Sequence, residues 1–464
     1  MPELPEVETV VRTLEKKIQN RIIRNVRVIY PRIVSSPDAE SFSADLTGQR
    51  FIGFDRRGKF LIFRLTDKVL VAHLRMEGKF FVYPKKTQPD KHTHIVFELD
   101  QGELHYNDVR KFGRFWLYDN DEEIEAVKGL RYEPFDDRLT PEYLKGYCHG
   151  KKEPIKSQLL DQSMIAGIGN IYANEICFEV SMDPEHPCGL ISLNKWDEII
   201  RATRKILARA IEAGGTTIRS YTSSLGVTGL FQQELNVQSR EKEACYTCGT
   251  PIRKIRVGGR GTYYCPVCQK KRAVFAAITG TIGSGKSTVR EYIESLGYKA
   301  ISCDAINADL LKDEKVIADL SAMIGCDPAS FSKPVLKEAI FRDARLKKQV
   351  EEYLHGKIWQ VICRFRQENE DEKVVFVEVP LLFETDWYRR FDCCLLVYSR
   401  DETVIRRLRE NRGMSGQEAE RFVASQMSSD TKKQMADYVI MNENDLDKLF
   451  NNVEKTLNTV LKLI

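Results

Sequence analysis

The stretch CYTCGTPIRKIRVGGRGTYYCPVCQKKR, residues 245–272, runs directly into AVFAAITGTIGSGKST, residues 273–288. The first part contains two C-x2-C pairs separated by sixteen residues, namely Cys245 with Cys248 and Cys265 with Cys268. Four thiolates at this spacing predict a zinc ribbon, in which two facing turns hold one structural Zn²⁺ per chain. A redox-active pair is the alternative interpretation, but two pairs at ribbon spacing favour zinc.

The second part predicts a nucleotide-binding P-loop. The apolar run 273–279 is typical of a buried strand, and the motif G-x-x-x-x-G-K-S follows it at once. In that context backbone N–H groups, a lysine and a magnesium-binding hydroxyl surround the phosphates of ATP. The residues expected to bind ATP with Mg²⁺ are Gly280, Gly283, Ser284, Gly285, Lys286, Ser287 and Thr288.

Charge divides the chain at the same place. Residues 1–272 carry 43 lysines and arginines against 36 acidic residues, whereas residues 273–464 carry 28 against 31. The ribbon stretch 245–272 contains seven basic residues and no acidic one. The N-terminal part is therefore expected to bind a polyanion, and the C-terminal part is not. A length of 464 residues allows two to four domains.

Cysteine usage and the N-terminus predict a cytoplasmic protein without a membrane partner. Eight further cysteines lack paired spacing, as expected for free thiols in a reducing compartment. Glu3, Glu6 and Glu8 stand where a signal peptide would be basic, and no apolar run reaches eighteen residues.

The N-terminal stretch MPELPEVETVVRTLEKKI predicts a helix with one apolar face. Helix formation does not account for Pro2 and Glu3, which precede the helix. Removal of Met1 would leave Pro2 as a free secondary amine, of which roughly a tenth is neutral at pH 7. A neutral amine can form a Schiff base, and Glu3 beside it can supply the proton that opens a sugar ring.

Residues 21–118 alternate short apolar runs with polar turns, which predicts an antiparallel β-sandwich or barrel. The pattern becomes helical from residue 141 to residue 214, where IKSQLLDQSMIAGIGNIYANEI predicts two helices around a tight turn. Asn170 is expected to cap the second helix, so that its N–H groups point at a phosphate. The stretch 214–236 lacks periodicity and predicts a mobile loop.

After the ribbon, strands and helices alternate, which predicts a parallel α/β domain with the P-loop behind its first strand. The strands are expected near 274–279, 298–302, 373–379, 393–398 and 438–441. Asp304 follows the second strand, a position close to the phosphates in such folds. The helical stretch 401–427 carries Arg407 and Arg412 and predicts a lid over the nucleotide, with a solvated helix face as the alternative.

Residues 1–272 resemble formamidopyrimidine-DNA glycosylase over its whole length. The motifs are PELPEVET, RRGKFL, HLRMEG, KHTH, NDVRKFGR, LLDQSMIAGIGNIYANE and GGRGTYYCPVCQ. The resemblance implies a glycosylase and AP lyase that binds double-stranded DNA and flips an oxidised purine, 8-oxoguanine or a formamidopyrimidine, out of the duplex. It also implies residue roles. Pro2 attacks the sugar C1′, and Glu3 and Glu6 transfer protons and release the base. The phosphates around the lesion are held by Lys59, His73, Asn170 and Arg260, and the gap that the flipped base leaves in the duplex is filled by Met76, Arg110 and Phe112. Lys59 is counted with the catalytic residues.

Two stretches depart from this family. NVQSREKEAC precedes the ribbon in place of the usual V-Y-G-R-x-G-x-P-C, and Ser220 stands where an acidic residue is usual. The endonuclease VIII branch, which acts on oxidised pyrimidines, is the rival family. It usually begins with P-E-G-P-E, so Leu4 and the pair Arg110 and Phe112 favour the purine branch.

Residues 273–464 resemble dephospho-coenzyme A kinase, which phosphorylates the 3′-hydroxyl of dephospho-CoA with ATP. The motifs are TGTIGSGKST, CDAINADLL, VEVPLLFE, RRLREN with RGMS, and ASQM. The resemblance implies that Asp304 is the base and that Lys286 acts in phosphoryl transfer. Five positions depart from the family pattern: Ser302 replaces the first aspartate of D-x-D, Ala308 an arginine, Gly356 a proline, Glu378 an aspartate and Asn411 the lid arginine.

The expected architecture is a multidomain α+β part followed by an α/β part. The predicted domains are a catalytic β-sandwich at 1–135, a helix-two-turn-helix domain at 136–240, a zinc ribbon at 241–272 and a P-loop kinase domain at 273–464. The leading hypothesis is a bifunctional fusion of the two enzymes. The alternatives are an endonuclease VIII-like glycosylase whose C-terminal domain binds nucleotide without turnover, and an accidental joining of two reading frames.

Overall fold

The computed structural model describes residues 1–120, 122–216, 230–443 and 445–464. They form two structural units: residues 1–147, 153–186 and 196–270 make the first, and residues 148–152, 187–195 and 271–464 make the second. Within the described residues, none of the helices combines the length and the apolar character needed to cross a membrane.

The predicted N-terminal helix is present as α1 (Leu4–Ile18). Its apolar positions recur every three or four residues, and that stripe is buried in the sandwich core; it comprises Val7, Val10, Val11, Leu14 and Ile18. The helix begins at Leu4 because Glu3 has an extended backbone and Pro5 suits the first turn. The backbone N–H of Glu3 donates to Glu6 Oε2 at 2.9 Å, which closes the first turn.

Two sheets follow, as predicted for a sandwich. Their strands are β1 (Ile23–Val28), β2 (Val34–Ser36), β3 (Phe51–Arg57), β4 (Phe60–Leu65), β5 (Lys68–His73), β6 (Lys79–Tyr83), β7 (Thr93–Leu99), β8 (Glu103–Asn107) and β9 (Arg114–Asp119), with α2 (Ala39–Leu46) between β2 and β3. One sheet has the order β1-β7-β8-β6 and the other β2-β9-β5-β4-β3. Their inner faces share one apolar core with α1.

The prediction of purely antiparallel pairing is wrong at one edge. Strand β2 pairs with β9 in parallel, through Val34 and Ser36. The strand is three residues long and is not joined to β9 by a hairpin, so no tight turn dictates its direction. The remaining pairs of the two sheets are antiparallel within the described residues.

The helical part is confirmed, with one correction. It comprises α3 (Pro141–Cys148), α4 (Ile155–Gln158), α5 (Asn170–Glu179) and α6 (Leu193–Glu212). Gly169, and not Asn170, occupies the cap position of α5, and its extended backbone ends the Ala-Gly-Ile-Gly turn. Of the predicted loop 214–236, residues 217–229, with Ser220, lie outside the described residues. Its two ends are bridged between Thr216 and Leu230.

The ribbon is a two-stranded hairpin of β10 (Arg253–Val257) and β11 (Arg260–Tyr264). Val257 pairs with Arg260, and the two residues between them are Gly258 and Gly259, with φ of 53° and 74°. A two-residue turn with positive φ at both positions matches the twist of the strands, and glycine adopts it without strain. Arg260 therefore stands at the tip of the hairpin.

The segment before the ribbon contains two residues in left-handed conformations. Ser239 and Lys242 stand where the family pattern has glycine, and they adopt φ of 63° and 70°. Arg240, the residue that the pattern retains, donates to the carbonyls of Asn236 and Ala244 and lies over the Tyr246 ring at 3.4 Å. These bonds hold the segment in place while two side-chain-bearing residues occupy left-handed conformations.

The second unit contains a five-stranded, entirely parallel sheet of order β13-β14-β12-β15-β16. Its strands are β12 (Val274–Thr279), β13 (Lys299–Ser302), β14 (Val374–Glu378), β15 (Cys393–Tyr398) and β16 (Tyr438–Met441), within one residue of prediction at each end. The helices are α7 (Lys286–Ser295), α8 (Cys303–Leu310), α9 (Glu314–Ile324), α10 (Lys333–Arg342), α11 (Ala344–Glu368), α12 (Asp401–Arg412), α13 (Gly416–Ala424), α14 (Ser429–Met435) and α15 (Leu446–Leu461). The glycine-rich loop leaves the central strand, β12.

Lys242→Gly should stabilise the first unit. A non-glycine residue in the left-handed region destabilises the folded state by about 1–2 kcal/mol, and glycine removes this strain. Part of the gain is offset, because glycine gives the unfolded chain more conformational entropy. We expect a net gain of about 0.5–1 kcal/mol in the free energy of unfolding, measured by urea titration of the zinc-loaded protein. The control is Glu241→Gly, whose φ is not positive. It should destabilise, and equal effects of the two substitutions would contradict the assignment of strain to Lys242.

Candidate active sites and zinc centre

The Glu3 carboxylate is buried at the N-terminus of α5. It is 2% exposed, and Glu3 Oε1 accepts a hydrogen bond from the Ile171 N–H at 2.9 Å. The first N–H groups of a helix attract negative charge, so this position suits a carboxylate. Burial nevertheless raises the pKa of Glu3 to about 7, with the nearby Lys59 opposing the shift. The helix end predicted to face a phosphate is thus occupied by Glu3.

The Glu6 carboxylate is held by four donors. Its Oε1 accepts from the Tyr172 hydroxyl at 2.7 Å and from both the N–H and the hydroxyl of Thr216 at 2.8 and 3.0 Å. Its Oε2 accepts from the Glu3 N–H at 2.9 Å. Glu6 is therefore fixed in place, whereas Glu3 is poised between its two protonation states. The sequence carried no signal for the contacts to Tyr172 and Thr216, which are distant in the chain.

Pro2 and Lys59 lie beside these carboxylates. Pro2 is buried, and so is Lys59, whose Nζ donates to the carbonyl of Ile168 at 2.8 Å. Burial lowers the pKa of Lys59, and the charges of Glu3 and Glu6 partly offset that effect. The structure thus brings together the four residues predicted as catalytic in this half of the chain.

His73 is neutral and anchors a turn. It is 7% exposed, and its Nδ1 accepts the Arg75 N–H at 2.9 Å. Burial, with Arg75 and Lys59 as like-charged neighbours, lowers the pKa of His73 to about 3. An interaction of His73 with a phosphate would therefore be a hydrogen bond from neutral imidazole and not an ion pair. Met76, in the same turn, is half-buried.

Arg110 and Phe112 form an exposed pair on a loop that Asp108 shapes. The Asp108 carboxylate accepts the N–H groups of Arg110, Phe112 and Gly113 at 2.9, 2.8 and 2.8 Å. The Arg110 guanidinium lies 4.7 Å from the centre of the Phe112 ring, and Phe112 is 46% exposed. Sequence reasoning missed Asp108, although an aspartate just before such a loop is a signal for N–H capture.

Asn170 joins the helical part to the ribbon. Its amide donates to the carbonyl of Gly261 at 3.0 Å, and its Oδ1 accepts from Lys156 Nζ at 2.5 Å. Burial lowers the pKa of Lys156 to about 8. Arg260, next to Gly261, is exposed and near enough to influence the pKa values of both Lys59 and Lys156. Lys156 was missed because a single lysine in a four-residue helix carries no pattern.

The four ribbon cysteines form a cluster whose sulfur atoms all lie within 4.8 Å of one another. The Sγ atoms of Cys245 and Cys268 are 3.9 Å apart, and those of Cys248 and Cys265 are 3.4 Å apart. Tetrahedral zinc with bonds of about 2.3 Å needs sulfur atoms separated by about 3.8 Å. The residues therefore fit one structural zinc ion.

In the second unit, the glycine-rich loop borders a cavity of about 640 Å³. A Cβ on Gly285, where φ is 94°, would stand 2.4 Å from Asn442 Nδ2, and one on Gly280 would stand 2.4 Å from Ser284 Oγ. These positions therefore require glycine. Lys286 Nζ donates to the carbonyl of Thr281 at 3.0 Å, and burial lowers the pKa of Lys286 to about 8.

Glu378, at the end of β14, reaches the start of α7. Its Oε1 accepts from Ser287 Oγ at 2.8 Å, and its Oε2 accepts from Arg290 Nε at 3.0 Å. The Glu378 side chain is 3% exposed. Asp304, in the first turn of α8, is exposed and lines the same cavity.

Asp304 also lines a second, more apolar cavity of about 210 Å³. That cavity is bordered by Leu354, His355 and Ile358 of α11 and by Trp387. The rings of His355 and Trp387 are 5.5 Å apart in an edge-to-face arrangement. One carboxylate is thus shared by a polar cavity beside the glycine-rich loop and an apolar cavity.

Both predicted lid arginines line the larger cavity, together with Asn411 and Thr288. Arg407 donates to Ser399 Oγ and to the carbonyl and Oδ1 of Asn442, at 3.0–3.2 Å. Asn442 in turn donates to the carbonyl of Ser284 at 2.7 Å. Arg407 therefore supports the glycine-rich loop through Asn442, a residue that the sequence did not mark, whereas Arg412 is exposed.

Four family models match the chain. They are the formamidopyrimidine-DNA glycosylase N-terminal domain at residues 1–115, the formamidopyrimidine-DNA glycosylase H2TH domain at 130–222, the zinc finger found in FPG and IleRS at 242–271, and dephospho-CoA kinase at 274–448. Each match lies within the stretch that the sequence motifs assigned to the same family.

Similar proteins of known name cover the N-terminal part. The formamidopyrimidine-DNA glycosylase of Bacillus cereus is 46% identical over 275 residues, which are 58% of this chain and 100% of the relative. That of Shouchella clausii is 44% identical with the same coverage. The endonuclease VIII alternative is therefore not favoured.

Solved structures agree with this assignment. A complex of Lactococcus lactis Fpg with abasic-site DNA has 39% identity and a TM-score of 0.56, and covers 58% of this chain and 100% of that one. A complex of an FPG mutant of the same organism with DNA containing Fapy-dG has 38% identity and the same TM-score and coverage. The chain belongs to the formamidopyrimidine-DNA glycosylase family through residue 271, and a dephospho-CoA kinase domain follows in the same polypeptide.

Proposed function

We propose that the N-terminal part excises oxidised purines from double-stranded DNA and then cleaves the strand. The observation that carries this proposal is the pair of differently held carboxylates, Glu3 and Glu6, beside buried Pro2. The nitrogen of Pro2, freed by removal of Met1, attacks the sugar C1′ as the bond to the base breaks. Cleavage of the bond between C1′ and the ring oxygen, with protonation of that oxygen, leaves an iminium. Removal of a C2′ proton then expels the 3′ phosphate as the C3′–O bond breaks.

The two carboxylates divide the acid–base work. A pKa of about 7 lets Glu3 hold or release a proton at working pH, so we assign to it the proton that opens the sugar ring. Glu6, fixed by Tyr172, Thr216 and Glu3, orients the site and assists base release. Lys59, His73, Asn170 and Arg260 grip the phosphates, and Met76, Arg110 and Phe112 fill the space of the flipped base.

We infer that the C-terminal part transfers the γ-phosphoryl group of ATP to the 3′-hydroxyl of dephospho-CoA. The main support for this inference is that Asp304 lines both the cavity beside the glycine-rich loop and the more apolar cavity. ATP phosphates fit the first, where Lys286, Arg407 and Arg412 supply positive charge, and the acceptor fits the second. Asp304 accepts the hydroxyl proton. The Ser287 hydroxyl would hold the Mg²⁺ that accompanies ATP, and the ion would supply positive charge at the phosphates.

Borohydride should trap the processed protein covalently on an 8-oxoguanine:cytosine duplex, because reduction fixes the iminium on Pro2. An N-terminal extension should abolish trapping, since the extended nitrogen is an amide without nucleophilic character. The measurement is a gel shift of labelled DNA under denaturing conditions. Phosphorylation of dephospho-CoA by the extended protein serves as the control, and undiminished trapping would overturn the role of Pro2.

Glu3→Gln should change how stability depends on pH. Because the folded-state pKa of Glu3 lies above its unfolded value, its contribution to stability is full below about pH 4.5 and is lost as pH rises to about 7. The free energy of unfolding of Glu3→Gln, relative to that of the native protein, should therefore rise by up to roughly 3 kcal/mol across this pH interval, and the difference should stay constant at higher pH. Urea unfolding at several pH values measures this difference in stability. Exposed Glu185→Gln is the control, and parallel profiles for Glu3→Gln and the native chain would contradict the shift.

Asp304→Asn should lower kcat for phosphorylation of dephospho-CoA by about 10²–10⁴-fold, because the hydroxyl proton loses its acceptor. ATP affinity, measured by calorimetry, should stay within about threefold, since asparagine keeps the size of the side chain and the glycine-rich loop and Lys286 are unchanged. Asp309→Asn, an exposed aspartate of the same helix, should leave kcat unchanged. A wild-type rate for Asp304→Asn would show that another group accepts the proton.

A further inference from the structure

The loop of residues 108–113 presents the Arg110 and Phe112 side chains, and its direction depends on how its base is held. The four residues at its tip are exposed, whereas Asp108 at its base is 1% exposed. The Asp108 carboxylate accepts the N–H groups of Arg110, Phe112 and Gly113. These bonds lie within the loop, so they set its shape but not its orientation on the sheet.

His94 holds the base of this loop on the sheet that contains β7 and β8. Its Nε2 donates to the Asp108 carbonyl at 2.7 Å, and the residue is buried. A carbonyl oxygen only accepts, so this contact requires the proton on Nε2. The Asp108 carbonyl also accepts the Lys111 N–H at 3.2 Å, but that bond lies within the loop. His94 therefore supplies the link between this carbonyl and the sheet.

The Asp108 N–H is held differently, by the backbone. It donates to the carbonyl of His92 at 3.0 Å, which continues the pairing of β7 with β8. An apolar side chain at position 94 would leave this bond in place and would fill the same space. Packing and strand pairing thus do not require a histidine at position 94, whereas the bond to the Asp108 carbonyl requires a donor there.

The His94 ring also reaches the tip of the loop, through Tyr30. The rings of His94 and Tyr30 are 5.5 Å apart, and Lys111 Nζ lies 4.9 Å from the centre of the Tyr30 ring. Lys111 has a φ of 58°, a left-handed conformation that needs support from neighbouring contacts. His94 therefore acts on the loop at two places, directly at Asp108 and through Tyr30 at Lys111.

The orientation of Arg110 matters for the base opposite the lesion. A guanidinium carries donors only, in a fixed fork. The Watson–Crick edge of cytosine offers two neighbouring acceptors, O2 and N3, whereas that of adenine offers one, N1. A fork held in one orientation distinguishes these edges, and a fork that is free to move can satisfy either edge with one bond.

We propose that His94 is a positioning residue for the choice of the base opposite the lesion, because it orients the loop of residues 108–113 so that Arg110 meets cytosine. The inference rests on the proposed excision of oxidised purines. His94 acts through Asp108 and Tyr30 and does not touch the reacting atoms.

His94→Phe tests the proposal, since it keeps an aromatic ring against Tyr30 and removes the donor. The single-turnover rates of 8-oxoguanine excision opposite cytosine and opposite adenine give, as their ratio, the preference for cytosine. We expect His94→Phe to lower this preference roughly tenfold, about the effect of one lost hydrogen bond. His94→Gln should retain it within about twofold, because the amide nitrogen of glutamine also donates and is as many bonds from the backbone as histidine Nε2.

Two controls separate positioning from general stability. His105→Phe removes another buried histidine of the same sheet, whose Nε2 lies 2.9 Å from Glu103 Oε2. It should destabilise the fold and leave the preference for cytosine unchanged. Strand cleavage at an abasic site in single-stranded DNA, which has no opposite base, should stay within about threefold in every variant.

Hydrogen exchange of the loop gives a readout that does not need catalysis. The amides of Arg110, Phe112 and Gly113 should exchange several-fold faster in His94→Phe than in the native chain. They should exchange at the native rate in His94→Gln and His105→Phe. If circular dichroism shows that His94→Phe does not fold, His94→Asn takes its place, since its amide is one methylene group too short to reach the Asp108 carbonyl.

An unchanged preference for cytosine in folded His94→Phe would overturn the proposal, whatever the exchange rate. Equal losses in His94→Gln or in His105→Phe would overturn it as well. Failure of the proposed function gives a different result, because the native chain would then not excise 8-oxoguanine opposite either base. Faster loop exchange in His94→Phe would in that case still show that His94 holds the loop.

Discussion

The burial of the Glu3 carboxylate against the first N–H groups of α5 is the contact on which the glycosylase site depends. It ties the chain's N-terminus to a helix about 170 residues later, at 2.9 Å between Glu3 Oε1 and the Ile171 nitrogen. Because Glu3 is held there, Glu6 one turn on meets Tyr172 and Thr216. Burial costs the ionised carboxylate part of its solvation, and the pKa of about 7 follows from that cost.

The second unit also buries a carboxylate, but with different partners. Glu378 is as buried as Glu3, but a guanidinium accompanies it as well as a hydroxyl donor. An ion pair with Arg290 accompanies Glu378, whereas the Lys59 charge and the helix N–H groups only partly oppose the effect of burial on Glu3, whose pKa stays at about 7. A pKa of about 7 suits Glu3 to the transfer of a proton at neutral pH.

Much of the fold followed from local patterns. The parallel strands of the second unit lie within one residue of prediction, because buried strands between helices produce continuous apolar runs that end at turn residues. The zinc cluster and the glycine-rich loop followed from spacing, since metal and phosphate sites made of neighbouring residues impose strict spacing. The parallel edge strand β2 and the true cap of α5 were mispredicted, because pairing direction and cap identity depend on what the backbone meets in three dimensions.

Local sequence patterns were enough to identify the chemical groups: a proline at position 2 with glutamates at positions 3 and 6, four cysteines at ribbon spacing, and a lysine and a serine behind a glycine-rich loop. The way each group behaves was set by the three-dimensional fold. It made His73 neutral, raised the pKa of Glu3, placed Asp304 between two cavities and paired Glu378 with Arg290. Burial, charge pairing and hydrogen bonding are set by residues distant in the chain, so the local spacing of residues does not predict them.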